Sequence, residues 1–154
     1  MRKITHIIVH ESDSAWGDAQ DINSWHLERG WSGIGYHEVI LNGVPDYKVQ
    51  YNQAVDGLVQ AGRMIHKVGA HARGFNKQSI GICLIGRHGE FTKAQMASLE
   101  NQVIKYMRLY EIPVENILGH YEIPLSGGKT CPEIEMNSFR DQIQKQIDMS
   151  QYGA

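Results

Sequence analysis

Two histidines, a cysteine and a lysine stand in this sequence where they could carry out hydrolysis. His120, Lys129 and Cys131 fall within the stretch from Gly119 to Pro132, GHYEIPLSGGKTCP, which Pro124 and the Gly127-Gly128 pair mark as a loop rather than a continuing helix or strand. Loops crowded with reactive groups commonly carry function. Imidazole and thiolate are both good zinc ligands, but a catalytic zinc site takes three protein ligands and a water, so this loop alone is one ligand short. His10, which follows the β-branched run ITHIIV, can supply the third. A two-His, one-Cys site with its fourth position open would lower the pKa of a bound water and polarise a carbonyl, which is what amide hydrolysis needs. Spacing alone does not select this reading, because eight histidines are scattered through the chain. Cys131, two residues from Lys129 in a polar loop, also suits a metal-free cysteine nucleophile paired with a histidine.

The remaining reactive groups have plainer readings. Cys83, between Ile82 and Leu84, reads as an inert core residue, and a bridge to Cys131 joins two very different settings. His26 reads as structural, His6 and His37 as strand residues, and His66 and His88 as surface. Glu11 and Glu122 each neighbour a proposed ligand, so either can orient an imidazole from behind or simply face water. Tyr36 and Lys129 are polar groups able to flank a carbonyl held at a metal.

The elements that must position these residues follow from local pattern. Ile4 to Val9 is a buried strand that places His10 at its C-terminal end, the edge where ligands collect in α/β sheets. Asp18 to Arg29 is a one-faced helix stopped by Gly30, and Tyr36 to Leu41 is a second strand ended by Asn42-Gly43. Between Val44 and Met64 a hairpin is expected, with Tyr47, Val49 and Tyr51 alternating like a strand and Asn52 to Asp56 forming a turn or short helix. Gly69 to Asn76 is a glycine-rich loop, and Ser79 to Ile85 is apolar enough for a central strand. Thr92 and Gln95 form a capping box ahead of Met96, Leu99, Val103, Tyr106 and Tyr110 on one helical face. A short strand from Asn116 to Gly119 leads into the reactive loop, and Phe139, Ile143 and Ile147 space a last helix from Asn137 to Met149. Strands interleaved with helices argue for an α/β single domain, a central mixed β-sheet flanked by helices, over residues 1–154.

Bulk properties narrow the partners. A length of 154 residues suffices for one core, and 42% hydrophobic with 21% charged residues is a soluble composition with no run long enough to span a bilayer. A net charge of -2 offers no basic stripe for nucleic acid. The N-terminal MRKITHIIVHESD runs from about four apolar residues straight into charged ones, unlike a signal peptide, so synthesis and retention in the cytoplasm are expected unless another factor exports the chain. A monomer is expected.

Taken together the segments resemble the zinc-dependent N-acetylmuramoyl-L-alanine amidase family, which includes lysozyme-type phage amidases and animal peptidoglycan recognition proteins. The resemblance is carried by IIVHESDS with His10, INSWHLERGWSGIGYH with Trp25, Trp31 and Tyr36, VGAHARGFNKQSIGICLIG with His71 and Asn76, FTKAQMASL, and GHYEIPLSGGKTCP, in family order over nearly the whole chain. It implies zinc on His10, His120 and Cys131, and catalytic roles for Tyr36 and Lys129. It further implies possible substrate contacts at His71 and Asn76, and peptidoglycan as substrate, cut between the lactyl group of N-acetylmuramic acid and L-alanine. The expected role is a phage endolysin without a separate wall-binding domain, reaching the wall through a holin. The alternative is a non-catalytic peptidoglycan-binding protein, against which the retained Cys131, His10, His120 and Tyr36 argue.

Three departures from the family pattern stand out. Between Gly43 and Gly57 the chain carries about ten residues more than shorter phage members, which would reshape a groove wall or edge strand. The loop from His120 to Cys131 is longer through Ser126-Gly127-Gly128, and Ile134-Glu135 follows the Cys-Pro where the family often has Phe-Asp.

Overall fold

The structure, a computed structural model describing residues 1–152, is a five-stranded sheet between helical layers. Its elements in chain order are β1 (His6–Glu11), α1 (Ala19–Glu28), β2 (Glu38–Asn42), β3 (Asp56–Ala61), β4 (Ser79–Leu84), α2 (Lys93–Tyr110), β5 (Ile117–Gly119) and α3 (Met136–Tyr152). The spatial order is β3-β2-β4-β1-β5. All neighbours are parallel except β2 and β3, so the sheet is mixed, with its one antiparallel strand at an edge.

Strand alternation sorts the sheet's side chains onto two faces. Ile7, Val9, Ile80, Ile82 and Leu84 pack with Leu99, Val103 and Tyr106 of α2 and Phe139 and Ile143 of α3. Each side chain fully withdrawn from water in this way stabilises the fold by roughly 1.5–3 kcal/mol before entropic costs. On the opposite face Val39, Leu41, Cys83 and Ile85 meet Ile22 of α1, while Ile8 meets Ala72 and Ile123 from loops. His10 shares the face of Ile8, where loops rather than a long helix cover the sheet. That is why a polar cleft can open there.

Helix α2 begins at the Thr92/Gln95 box, with both reciprocal hydrogen bonds formed, and ends at Glu111 in the left-handed conformation just ahead of Pro113. Asp18 and Asp21 form a second capping box on α1. The expected hairpin is present, but its return strand is β3 at Asp56–Ala61 and not the Tyr47 to Tyr51 alternation. Tyr47, Val49 and Tyr51 are exposed and lie in the intervening loop, followed by a 3-10 turn at Gln53–Val55. Alternation without an apolar face to bury does not hold a strand in place. No helix among the described residues is long and apolar enough to cross a membrane.

Candidate functional site

Adjacent parallel strands β1 and β5 bring the two histidines together. Their register aligns Val9 with Gly119, so the next residue of each chain segment, His10 and His120, emerges at the same C-terminal edge. The imidazole centroids are 4.6 Å apart. Gly119 leaves room at that point, since a Cβ there would come within 2.9 Å of Met136 and 3.0 Å of Tyr121 and would push their side chains aside. The loop then folds back. Tyr121 N–H donates to Cys131 O (2.9 Å), and Glu11 N–H donates to Cys131 Sγ (3.1 Å). The result is one donor atom each from His10, His120 and Cys131, all within 4.8 Å of one another, an arrangement that could hold a metal ion.

These donors sit at the floor of a cleft of about 700 Å³ whose lining also includes Tyr36, Lys129, Arg29, Trp31, His71, Arg73 and Asn76. Tyr36 lies with its ring 4.9 Å from that of His10. Burial pushes its hydroxyl well above its ordinary value, and the nearby Cys83 and Cys131 thiols push the same way, so it is a protonated hydrogen-bond donor at neutral pH. Burial likewise drives His10 well below the usual histidine value, reinforced by His71, His120 and Lys129. His120 is lowered by burial and by the Lys129 charge. Both rings are therefore neutral, the form in which imidazole binds metal. As a free thiol Cys131 is pushed up to about 12, chiefly by burial, against the opposing Glu11 N–H bond. An unassisted Cys131 is thus a poor nucleophile, whereas a bound cation would favour its thiolate.

Other residues singled out from sequence occupy different positions. Asn76 Oδ1 accepts the backbone N–H groups of His71 and Ala72, both at 2.8 Å, so its side chain shapes the loop. His71 is committed to neighbours at both ring nitrogens, Nδ1 at 2.8 Å from His10 Nε2 and Nε2 at 3.2 Å from Ser79 Oγ. The His71 ring and the Asn76 amide oxygen are therefore engaged within the protein, while the Asn76 amide NH2 makes no hydrogen bond to the described residues. Glu122 supports no imidazole. Its carboxylate is bound by Arg140 at 2.8 and 2.9 Å and accepts the Gly119 N–H at 2.9 Å, tying the start of the loop to α3. Glu11 contributes through its backbone, as the donor to Cys131. Cys83 is fully buried, and both cysteines are free. His26 is structural, with its Nδ1 accepting the Gly35 N–H at 3.0 Å. Arg29 and Arg73 were not distinguishable from surface arginines in the sequence, because only the fold turns them toward the cleft.

Known proteins match this chain in both sequence and shape. The family model for N-acetylmuramoyl-L-alanine amidase matches residues 1–134. An endolysin of Escherichia phage T7 is 35% identical over 127 residues, covering 78% of this chain and 72% of that protein. Peptidoglycan-recognition protein LB of Drosophila melanogaster is 31% identical over 134 residues, covering 82% of this chain and 52% of that one. Among solved structures, an N-acetylmuramoyl-L-alanine amidase from Clostridium intestinale superimposes with a TM-score of 0.73 at 27% identity, over 96% of this chain and 87% of the other. The sheet order, the paired histidines at one edge and the match over residues 1–134 agree: this chain belongs to the N-acetylmuramoyl-L-alanine amidase family.

Proposed function

We propose that this amidase is a phage endolysin that cuts the bond between the lactyl group of N-acetylmuramic acid and L-alanine, using a zinc ion held by His10, His120 and Cys131. The observation that carries the metal assignment is the convergence of two neutral imidazoles and a thiol within 4.8 Å at the floor of an open cleft. Two nitrogens and a sulfur are a donor set suited to zinc, and three protein ligands leave a position for water. When bound, zinc supplies a Lewis acid for the scissile carbonyl and lowers the pKa of a water ligand.

The chain's own residues provide the rest. Lys129 places a positive charge beside the donors, close enough to bear on both His10 and His120, and is suited to stabilise the oxyanion that develops as the carbonyl is attacked. Tyr36 keeps its proton and so donates a hydrogen bond to the attacking water or to the tetrahedral oxygen; it is not a base. Arg29 and Arg73 line the cleft alongside the acidic Glu11, Asp13 and Glu133, and each guanidinium is a suitable partner for a stem-peptide carboxylate. Trp31 offers a flat apolar surface beside Arg29, whose guanidinium lies 5.6 Å from the ring. Residues 1–154 form a single catalytic domain in this reading, act as a monomer, and reach the wall from the cytoplasm through a holin lesion.

The test is an assay on purified peptidoglycan that follows new L-alanine amino termini and freed lactyl-linked muramic acid, before chelation, after it, and after zinc is restored. Release that stops on chelation and returns with zinc is expected. Release that survives complete zinc removal would overturn the metal assignment. Tight binding with no release from any peptidoglycan would favour the recognition-protein reading instead.

A further inference from the structure

We propose that Ser79 and His71 form a hydrogen-bond relay that fixes His10 as the tautomer with its Nδ1 lone pair free for metal, which makes His71 a positioning residue and not a substrate contact. The proposal rests on the reading of His10 as a zinc ligand. The direction of the relay is set at its far end. Phe75 O is a carbonyl and can only accept, so Ser79 Oγ, 2.7 Å away, donates its single proton there. Ser79 Oγ can then only accept from His71 Nε2, at 3.2 Å, which places the His71 proton on Nε2. A neutral imidazole carries one N–H, so His71 Nδ1 presents a bare lone pair. His10 Nε2 lies 2.8 Å from it and must be the donor. The only nitrogen of His10 left for a metal is Nδ1.

The surroundings hold the relay in place. Asn76 Oδ1 pins the backbone of His71 and Ala72. On β4, Gly81 leaves a notch for the ring, since a Cβ there would lie 2.6 Å from His71 Cγ and 2.7 Å from its Nδ1. Gly69 does the same from the loop side, where a Cβ would lie 2.6 Å from His71 Cδ2. His71 itself is 9% exposed and His10 is 1% exposed, so water does not compete for either hydrogen bond. Hydrogen bonds from the far nitrogen of a ligating histidine fix its tautomer and ring orientation, and losing such a partner typically costs roughly 10- to 100-fold in metal affinity.

Two readouts test the relay, neither of them activity. In metal-free wild-type protein carrying nitrogen-isotope-labelled histidine, long-range proton–nitrogen NMR at neutral pH should show both His10 and His71 protonated at Nε2, with the His10 N–H shielded from exchange. Zinc affinity from chelator competition should fall roughly 10- to 100-fold in His71→Leu. Part of it should return in His71→Asn, whose amide oxygen can accept near the former Nδ1. Ser79→Ala should mix the His71 tautomers and weaken zinc by a smaller factor. A proton on His10 Nδ1, or wild-type zinc affinity in a folded His71→Leu protein, would overturn the proposal. If His71→Leu does not fold, Ser79→Ala decides: unchanged tautomers and unchanged affinity would overturn it. Failure of wild-type protein to take up zinc would defeat the metal reading and this proposal together, whereas zinc uptake indifferent to His71 and Ser79 would defeat the relay alone.

Discussion

Cys131 and Cys83 show how burial and position separate two chemically identical residues. Cys131 receives a backbone N–H from Glu11 at the edge of a cleft, while Cys83 is sealed in the core behind it. Cys131→Ser is therefore expected to lose both zinc and amidase activity, and Cys83→Ala to keep both at a modest cost in stability; metal content after gel filtration and peptidoglycan release measure the two. The raised Cys131 pKa, about 12, also sets a pH dependence. In the proposed zinc site the metal would displace the thiol proton, whereas His10 and His120, lowered by burial, would bind as neutral imidazoles. Zinc affinity should consequently rise by about tenfold per pH unit between about pH 6.5 and 8, as competition with a chelator of known proton affinity would show. At this scale the residue types and the loop were legible in the sequence, including His10, His120 and Cys131. The link from His71 to His10 was not, because a hydrogen bond across 61 positions leaves no local pattern.

Elements announced themselves where their ends carry their own chemistry. Thr92 with Gln95 marked the start of α2, and the apolar face behind it fell at helical spacing. The segment after β2 misled because Tyr47, Val49 and Tyr51 alternate without a buried side, while β3 itself is only partly buried and looks less like a strand. Glu122 misled for a different reason: proximity to His120 in sequence suggested support of the ring, yet Arg140, 18 positions away, claims the carboxylate. That clamp has a measurable role. Arg140→Met removes both contacts to Glu122 and one to Ile117 O, and should lower stability by roughly 1–3 kcal/mol in urea unfolding, the partial exposure of the pair moderating the loss. Zinc affinity should stay close to wild type, since Glu122 keeps the Gly119 N–H.

Across the whole molecule, several histidines act as neutral hydrogen-bonding parts of the interior. His26 and His37 are both lowered to about 4, chiefly by burial, and their Nδ1 atoms accept the N–H groups of Gly35 and Gly81. Each has a folded-state pKa below its unfolded value near 6.5, so the unfolded chain takes up protons first. The stability these residues contribute is present above about pH 6.5 and is lost as pH falls toward 4. Denaturant midpoints should thus decline steadily over that interval, and a flat profile would contradict these assignments. Fold class and the mixed sheet were readable from interleaved strands and helices, but strand order was not, because partner choice between β1, β4 and β5 is settled by packing far apart in the chain. That separation has a consequence in time. Glu11 and Cys131 are 120 positions apart, and a ribosome adding 5–20 residues per second needs roughly 6 to 24 s to cover that distance. Until then the nascent chain holds His10 without its partners. In the proposed site, three-ligand metal capture has to wait until the segment carrying His120 and Cys131 has been made and folded against β1.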